Sequence, residues 1–516
     1  MSIYKPCDIR GLADAELSAA MYEAWGRELG RQLDPGAKFV GGGDVRDSTP
    51  PFLAALVEGL CRSGLDVVEL GLLPTPMIYY AKRRLEADGC AIVTASHNPA
   101  AVNGLKWMLH DRPPTPDEVA GMQRALSPVG RSSGQGRGEG DEVGWVKRSA
   151  APPTAGKTWW GRTSLDPPYL DLPRGEGTIS RPPAVSRHRT TPRTLDVSFD
   201  YVAHLQETFV DSLAAQLHVV LDPMHGCWAE KARRYLHAIF PQCIFSTIRD
   251  RADGRFDGQA PDCSRPENLH ELCAAVYHQR AHLGVAFDGD GDRLALVDDE
   301  GVVFSSEEAV FTLLECLGEE LRGEPFVHDL KYSDRVAEFA RRVGAEPLAE
   351  RSGHAFLRAR MCETNARFGA EASGHYFFRE LGGGDDAIYT ACRLIAWLAR
   401  TGRTLSDVRH GCPAVQMTPD LRVPVDQDEQ QEIIERVGAA WAGFPRIKTD
   451  GVRIDTPGGW ALVRSSVTEP VLTFRFEGLD WHALDDLVKR FRGTLPEEIG
   501  DELWSRYRAA MGGGKT

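Results

Sequence analysis

The sequence predicts an α/β chain that ends in a smaller α+β unit. Short apolar runs recur along it and stop abruptly at Gly-, Asp-, Asn- and Pro-containing stretches, the pattern of buried strands with loops at their carboxyl ends. Stretches with apolar residues at helical spacing lie between these runs. Over the last hundred residues the order changes, because two strand candidates stand next to each other with helical stretches outside them. A length of 516 residues suggests three or four domains and ample material for buried cores.

The elements follow in order. Asp47-Ser48-Thr49-Pro50-Pro51 offers a cap and early-turn prolines, and Leu53, Leu56, Val57 and Leu60 then recur at helical spacing up to Ser63-Gly64. Asp66–Leu70 reads as a strand. Cys90–Val93 reads as another, stopping at Thr94-Ala95-Ser96-His97-Asn98-Pro99. Residues 128–195 break the alternation: they hold 10 Gly, 9 Pro, 11 basic and 6 acidic residues, a composition too poor in apolar side chains to offset ordering. A flexible insertion is expected there. Trp145, Trp159 and Trp160 leave a partner-docking arm as the alternative. Strands are expected at Leu217–Leu221, Leu283–Phe287 and, more weakly, Phe326–Leu330, with a helix around Glu307–Leu321. Glu371–His375 forms a loop before Tyr376–Phe378. At the C-terminal end, strands near Ala461–Val463 and Val471–Phe476 lie between helices near Glu429–Ala440 and Trp481–Arg492, and the chain closes in a frayed tail, Gly512–Thr516. The tail is not a phosphate loop, since the first required glycine falls on Ala509 and no helix follows.

Composition narrows the function classes. Lys+Arg 60 against Asp+Glu 74 gives a formal charge of −14, which disfavours nucleic acid and anionic membrane surfaces as partners. An anionic substrate must be held by local charge. No run reaches the roughly 20 apolar residues of a membrane span, and the N-terminal residues lack the apolar core of a signal peptide. The 11 cysteines form no CxxC pair. A cytoplasmic protein is expected.

Three motifs carry chemistry. In Asp288-Gly289-Asp290-Gly291-Asp292-Arg293, three carboxylates alternate with glycines directly after an apolar strand. Two unit charges 4 Å apart repel by roughly 4 kcal/mol at an effective dielectric of 20. Convergence therefore calls for a hard divalent cation with oxygen ligands. A calcium-sensing loop is disfavoured, because its sixth and twelfth positions hold Arg293 and Asp299 rather than Gly and Glu. Arg293 suits a phosphoryl group through its forked donors. The second motif is Ser96 at its strand end, a candidate nucleophile. It lacks the flanking glycines of a hydrolase elbow, so acyl transfer is disfavoured. Lys106 is a candidate cation nearby. Third, Arg464, Ser466 and Thr468 lie in a short turn between two strands, where a guanidinium, hydroxyls and amides can hold a phosphate. Glu371, Ser373 and His375 offer hydroxyl-recognising groups.

Taken in order, these motifs resemble the α-D-phosphohexomutase family, in particular its phosphomannomutase/phosphoglucomutase branch, over nearly the whole chain outside residues 128–195. The resemblance implies three related mixed α/β domains and a smaller α+β C-terminal domain around a central cleft, here 1–127, 196–302, 303–415 and 416–516. It implies that Ser96 carries a phosphoryl group and that Asp288, Asp290 and Asp292 bind Mg2+, with a phosphoserine oxygen of residue 96 completing the site. Lys106, Arg293 and His354 are then catalytic residues. Arg10, Glu371, Ser373 and His375 bind substrate, and Arg464, Ser466 and Thr468 hold its non-reacting phosphate. The expected reaction interconverts hexose 1-phosphate and hexose 6-phosphate, mannose preferred and glucose accepted, with a hexose 1,6-bisphosphate as intermediate and activator. Lys106 and His354 are the expected proton-transfer groups. Cys7 replaces a usual aromatic residue, Val467 a usual asparagine, and Pro261-Asp262-Cys263-Ser264 is an altered motif. The rivals are phosphoglucomutase or phosphoglucosamine mutase, a phosphatase that loses the intermediate to water, and a non-catalytic sugar-phosphate-binding protein.

Overall fold

A computed structural model describes residues 2–126, 188–210, 216–466 and 470–512. The chain forms four sheets. The first has six strands in the order Ile9–Leu12, Val102–Leu109, Gly89–Val93, Lys38–Gly43, Asp66–Leu72 and Arg193–Thr194. The last four of these are parallel, and Val102–Leu109 runs antiparallel to both of its neighbours. The second sheet has the order Leu294–Asp298, Leu283–Phe287, His218–Asp222 and Ile244–Thr247, with only its first pair antiparallel. The third has Glu346–Glu350, Pro325–Asp329 and Phe368–Ala370 in parallel, followed by antiparallel Tyr376–Phe378 and Gly384–Asp385. The fourth is wholly antiparallel, Leu421–Pro424, Val471–Gly478, Gly459–Ser465, Val452–Thr456 and Arg446–Ile447.

One local motif repeats in the first three sheets. The last strand of the parallel set turns through a short loop into an antiparallel partner. Those loops are residues 94–101, 288–293 and 371–375. The serine, aspartate and hydroxyl-recognition motifs thus occupy one topological position in three domains. The expected elements agree closely with the observed ones: helix Thr49–Arg62 has its prolines in the first turn, where a missing N–H is harmless. The helix expected to reach Leu321 stops at Leu317, and Gly318–Leu321 tightens into a 3-10 turn. A final helix, Glu497–Gly512, was not anticipated.

Apolar packing joins the first three domains. One continuous core runs from Val40 and Ile92 through Leu221 and Phe287 to Phe326 and Ile395. The C-terminal domain keeps a separate core around Val437, Phe474 and Phe491. Polar contacts link it to the third domain. Buried Glu477 accepts from Ser333 Oγ at 2.5 Å and from the Asp334 amide at 3.0 Å, Arg475 pairs with Glu307 at 3.0 Å, and Lys331 pairs with Asp420 at 3.2 Å.

The expected flexible insertion at 128–195 needs a correction at its end. The docking-arm tryptophans and most of the insertion lie outside the described residues. Residues 188–195, however, are tied to the first domain: the Thr190 hydroxyl donates to the Leu65 carbonyl at 2.5 Å, Arg193 pairs with Asp66, and Arg193–Thr194 adds a strand to the sheet edge. An edge strand pairs through its backbone, so apolar composition did not reveal it. Gly512 closes the last helix, and the rest of the expected tail lies outside the described residues. Among the described residues, no helix is long and apolar enough to cross a membrane.

Arg475 and Glu307 are both more than nine-tenths buried. Arg475→Met leaves Glu307 without its partner, and breaking such a pair costs about 3–5 kcal/mol. Thermal unfolding should show a lower first transition, and an unchanged melting curve would mean that the pair does not anchor the C-terminal domain.

Candidate active site

Ser96 stands at the carboxyl end of Gly89–Val93 with φ of 53°, a left-handed conformation that costs a residue other than glycine about 1–3 kcal/mol. Its neighbours hold it there. The Ser96 amide donates to Thr94 Oγ1 at 2.9 Å, and Thr94 in turn donates to Asp44 at 2.7 Å. Fully buried Arg46 donates to the carbonyls of Ser96, Asn98 and Val102 at 2.9, 2.6 and 2.9 Å. Ser96 Oγ then donates to Asp288 Oδ2 at 2.7 Å and lies 3.3 Å from His97 Nδ1.

Glycines let the three loops interlock. A Cβ at Gly289 would lie 2.7 Å from the Ser96 carbonyl oxygen, and one at Gly374 would lie 2.8 Å from that of Leu294. The Leu294 amide donates to the Gly374 carbonyl at 3.1 Å, and Arg293 and His375 form an antiparallel bridge. The serine loop is thereby pressed onto the aspartate loop, and the aspartate loop onto the hydroxyl-recognition loop.

Carboxylate oxygens of Asp288, Asp290 and Asp292 all lie within 4.8 Å of one another, and all three side chains are buried. Lys106 Nζ sits 2.8 Å from both Asp290 Oδ2 and Asp292 Oδ2, and Thr75 donates to Asp290 at 2.9 Å. Burial and the neighbouring carboxylates push Asp288 and Asp292 up, whereas Lys106 and Thr75 hold Asp290 down against its burial. The Lys106 ammonium touches only two of the three carboxylates, and buried Asp290 Oδ1 and Asp292 Oδ1 have no hydrogen-bond partner. A set of hard oxygen donors with orphaned acceptors and excess negative charge fits Mg2+.

His375 is the second junction. Arg293 Nε donates to His375 Nε2 at 2.9 Å, so Nε2 is the acceptor and Nδ1 carries the hydrogen that it gives to Asp385 at 2.6 Å. The ring is neutral, its pKa pushed down to about 4 by burial. Arg293 Nε is 3.8 Å from Asp288 Oδ2. His354 stacks on His375 with ring centroids 5.6 Å apart and is likewise held neutral, first by burial and then by Lys106. Lys106 is held charged, because Asp290 and Asp292 outweigh its burial. As a proton acceptor it is therefore misplaced, and its geometry suits a fixed cation or a proton donor.

The remaining expected residues divide. Glu371 Oε2 and Ser373 Oγ are buried without partners beside His375, as free hydroxyl-recognising groups would be. Arg10 is oriented by Asp8 at 2.8 Å, and its charge is felt by His97, Lys106 and His354. Arg464 and Ser466 belong to the C-terminal hairpin. Arg464 pairs with Asp450 at 2.8 Å, and Asp450 accepts from the Ser352 amide at 3.3 Å, two residues from His354. Thr468 and Val467 lie outside the described residues. The sequence reading passed over Asp44, Arg46, Thr75, His97 and Asp385. His97 had a signal in its adjacency to Ser96, and Asp44 and Arg46 had one in following the strand end Gly41-Gly42-Gly43.

Comparison with known proteins yields four consecutive family matches. Models of phosphoglucomutase/phosphomannomutase α/β/α domains I, II and III match residues 2–123, 199–301 and 306–415, and the C-terminal domain model of the same family matches 421–494. The chain is 29% identical over 499 residues to a phosphomannomutase/phosphoglucomutase of Pseudomonas aeruginosa, covering 96% of this chain and 95% of that one. It is 28% identical over 495 residues to an Escherichia coli phosphomannomutase, covering 92% and 95%. Among solved structures, a phosphoglucomutase/phosphomannomutase family protein of Burkholderia thailandensis superposes with a TM-score of 0.75 at 27% identity, over 99% of this chain and 98% of that one.

Two outcomes test the site. Mg2+ at 100 times its Kd should stabilise the fold by about 2.7 kcal/mol, read as a rise in Tm, and Asp290→Asn should abolish the rise; a Tm indifferent to Mg2+ would contradict the cation assignment. Between pH 6.5 and 4 the unfolded chain binds a proton at His375 that the folded chain refuses, so stability falls as pH falls through that window. His375→Gln should flatten this slope in urea titrations, and an unchanged slope would contradict the neutral ring.

Proposed function

The chain belongs to the phosphoglucomutase/phosphomannomutase family, and from that premise we propose that it interconverts hexose 1-phosphate and hexose 6-phosphate, with mannose preferred and glucose accepted. The observation that carries the reading is the 2.7 Å contact between Ser96 Oγ and Asp288 at the edge of the aspartate triplet.

Phosphoryl transfer demands positioning and charge neutralisation more than covalent chemistry. When bound by Asp288, Asp290 and Asp292, Mg2+ supplies positive charge to the oxygens of a phosphoryl group on Ser96. Arg293, locked in direction by His375 and Asp385, offers a second cation on the other side of Asp288. In the first half-reaction the bond from phosphorus to Ser96 Oγ breaks and a bond to a sugar hydroxyl oxygen forms. The hydroxyl proton goes to a neutral acceptor, for which His354 is the candidate, and Lys106 can return a proton to Ser96 Oγ. The hexose 1,6-bisphosphate so formed turns over and gives its other phosphoryl group back to Ser96, so a trace of the bisphosphate is expected to activate by loading Ser96. Arg464, Ser466 and Thr468 hold the phosphate that is not reacting, in either orientation. Glu371 and Ser373 read the sugar hydroxyls.

A single assay tests the reading: the chain with mannose 1-phosphate, Mg2+ and a trace of hexose bisphosphate. Mannose 6-phosphate without free phosphate is expected. Free phosphate alone indicates a phosphatase, and no turnover indicates a binding protein. Ser96→Ala should lower turnover by at least about three orders of magnitude, within the range seen when a covalent nucleophile is removed; full activity in that variant would refute the role of Ser96.

A further inference from the structure

Away from the serine cluster, a cavity of about 260 Å³ opens between the first and third domains. Four cations line it: Lys82 and Arg83 at the end of helix Thr75–Arg84, Arg358 of helix His354–Thr364, and Arg379. Carboxylates answer two of them. Lys82 Nζ is 2.9 Å from Asp111, whose side chain is 96% exposed, and Arg379 pairs with Glu324. Among the described residues, no carboxylate comes within 4.0 Å of Arg83 or Arg358; Asp385 and Asp386 act on them only at longer range. Arg358 is 3% exposed, and its Nε and Nη1 have no hydrogen-bond partner. Its guanidinium lies over the Tyr79 ring, 4.1 Å from the centroid. Arg83 donates to the Leu381 carbonyl, and its pKa is pushed down to about 10 by burial and by repulsion from Arg358.

Two guanidinium groups crowded at one cavity, with no carboxylate among the described residues within 4.0 Å and one of them buried, are unfavourable unless something negative joins them. We infer that this cavity binds a phosphate-type dianion, gripped by Arg83 and Arg358, with Lys82 and Arg379 at its edge. The two uncompensated charges set the valence, and the forked donors of arginine suit a tetrahedral oxyanion. The volume admits a phosphate group with a few further atoms. This site is separate from the one that handles the sugar phosphate, since none of its cations contacts Ser96 or the aspartate triplet. Helix Thr75–Arg84 nevertheless joins the two: Thr75 at its start bonds Asp290, and Lys82 and Arg83 at its end face the cavity. The dianion is either free phosphate or the phosphoryl group of a small metabolite.

Cys362, an exposed thiol on the cavity wall, reports occupancy. The full chain is alkylated with iodoacetamide at constant ionic strength, with and without inorganic phosphate or glycerol 3-phosphate, and peptides are quantified by mass spectrometry. At ten times its Kd the ligand should slow labelling of Cys362 about tenfold, while Cys273 labels as before. Protection by phosphate alone identifies the free ion, and protection by glycerol phosphate alone identifies a phosphomonoester. Protection should survive Arg464→Ala, which alters the substrate site, and should be lost in Arg83→Gln and in Arg358→Gln; Lys82→Met, a milder change, should weaken it if either arginine variant fails to fold. Unprotected Cys362 in the native chain, or protection that follows Arg464 and ignores Arg83, would overturn the inference.

Discussion

Three buried carboxylates held against only two cations are the constraint on which this structure turns. Asp288, Asp290 and Asp292 repel one another, and the fold answers with Lys106 on one side, Arg293 on another and two acceptor oxygens left open. Such an arrangement persists only if the surrounding loops cannot relax apart. The glycine contacts at Gly289 and Gly374 lock the loops, and the continuous core beneath them fixes the three domains. The strain at Ser96 is held by the same means, through Thr94, Asp44 and Arg46.

The architecture repeats because the problem repeats. Each α/β domain places one chemical loop where a parallel strand gives way to an antiparallel one, so three loops of different chemistry arrive at one junction. The C-terminal domain is built otherwise. It has its own core and meets the rest through ion pairs and hydrogen bonds. Polar interfaces of this kind tolerate domain motion better than apolar ones, which suits the role proposed for Arg464, that of following a phosphate through two substrate orientations.

Much of this was legible in the sequence. The strand ends at Val93 and Phe287 were readable because an apolar run meets Ser or Asp with Gly, and such junctions carry both the turn and the chemistry. The helix Trp481–Arg492 was readable from periodicity alone. Of the site residues that escaped, two did so because the partner is far away in the chain. Thr75 gains meaning only from Asp290, and Asp385 only from His375 and Arg293. The strand Arg193–Thr194 escaped because edge pairing is a property of the backbone, and the composition around it favours loops. The charge state of Lys106 also needed coordinates, since a lysine near two carboxylates and a lysine in solvent look alike in a sequence.

The central claim is that the interlocked loops form a cation site touching the side chain of Ser96. Anomalous diffraction from crystals soaked in Mn2+, an oxygen-seeking stand-in for Mg2+, tests it most directly. The account predicts one strong peak bonded to carboxylates of Asp288, Asp290 and Asp292, next to Ser96 Oγ. A peak elsewhere, or none among these residues at saturating Mn2+, would contradict it.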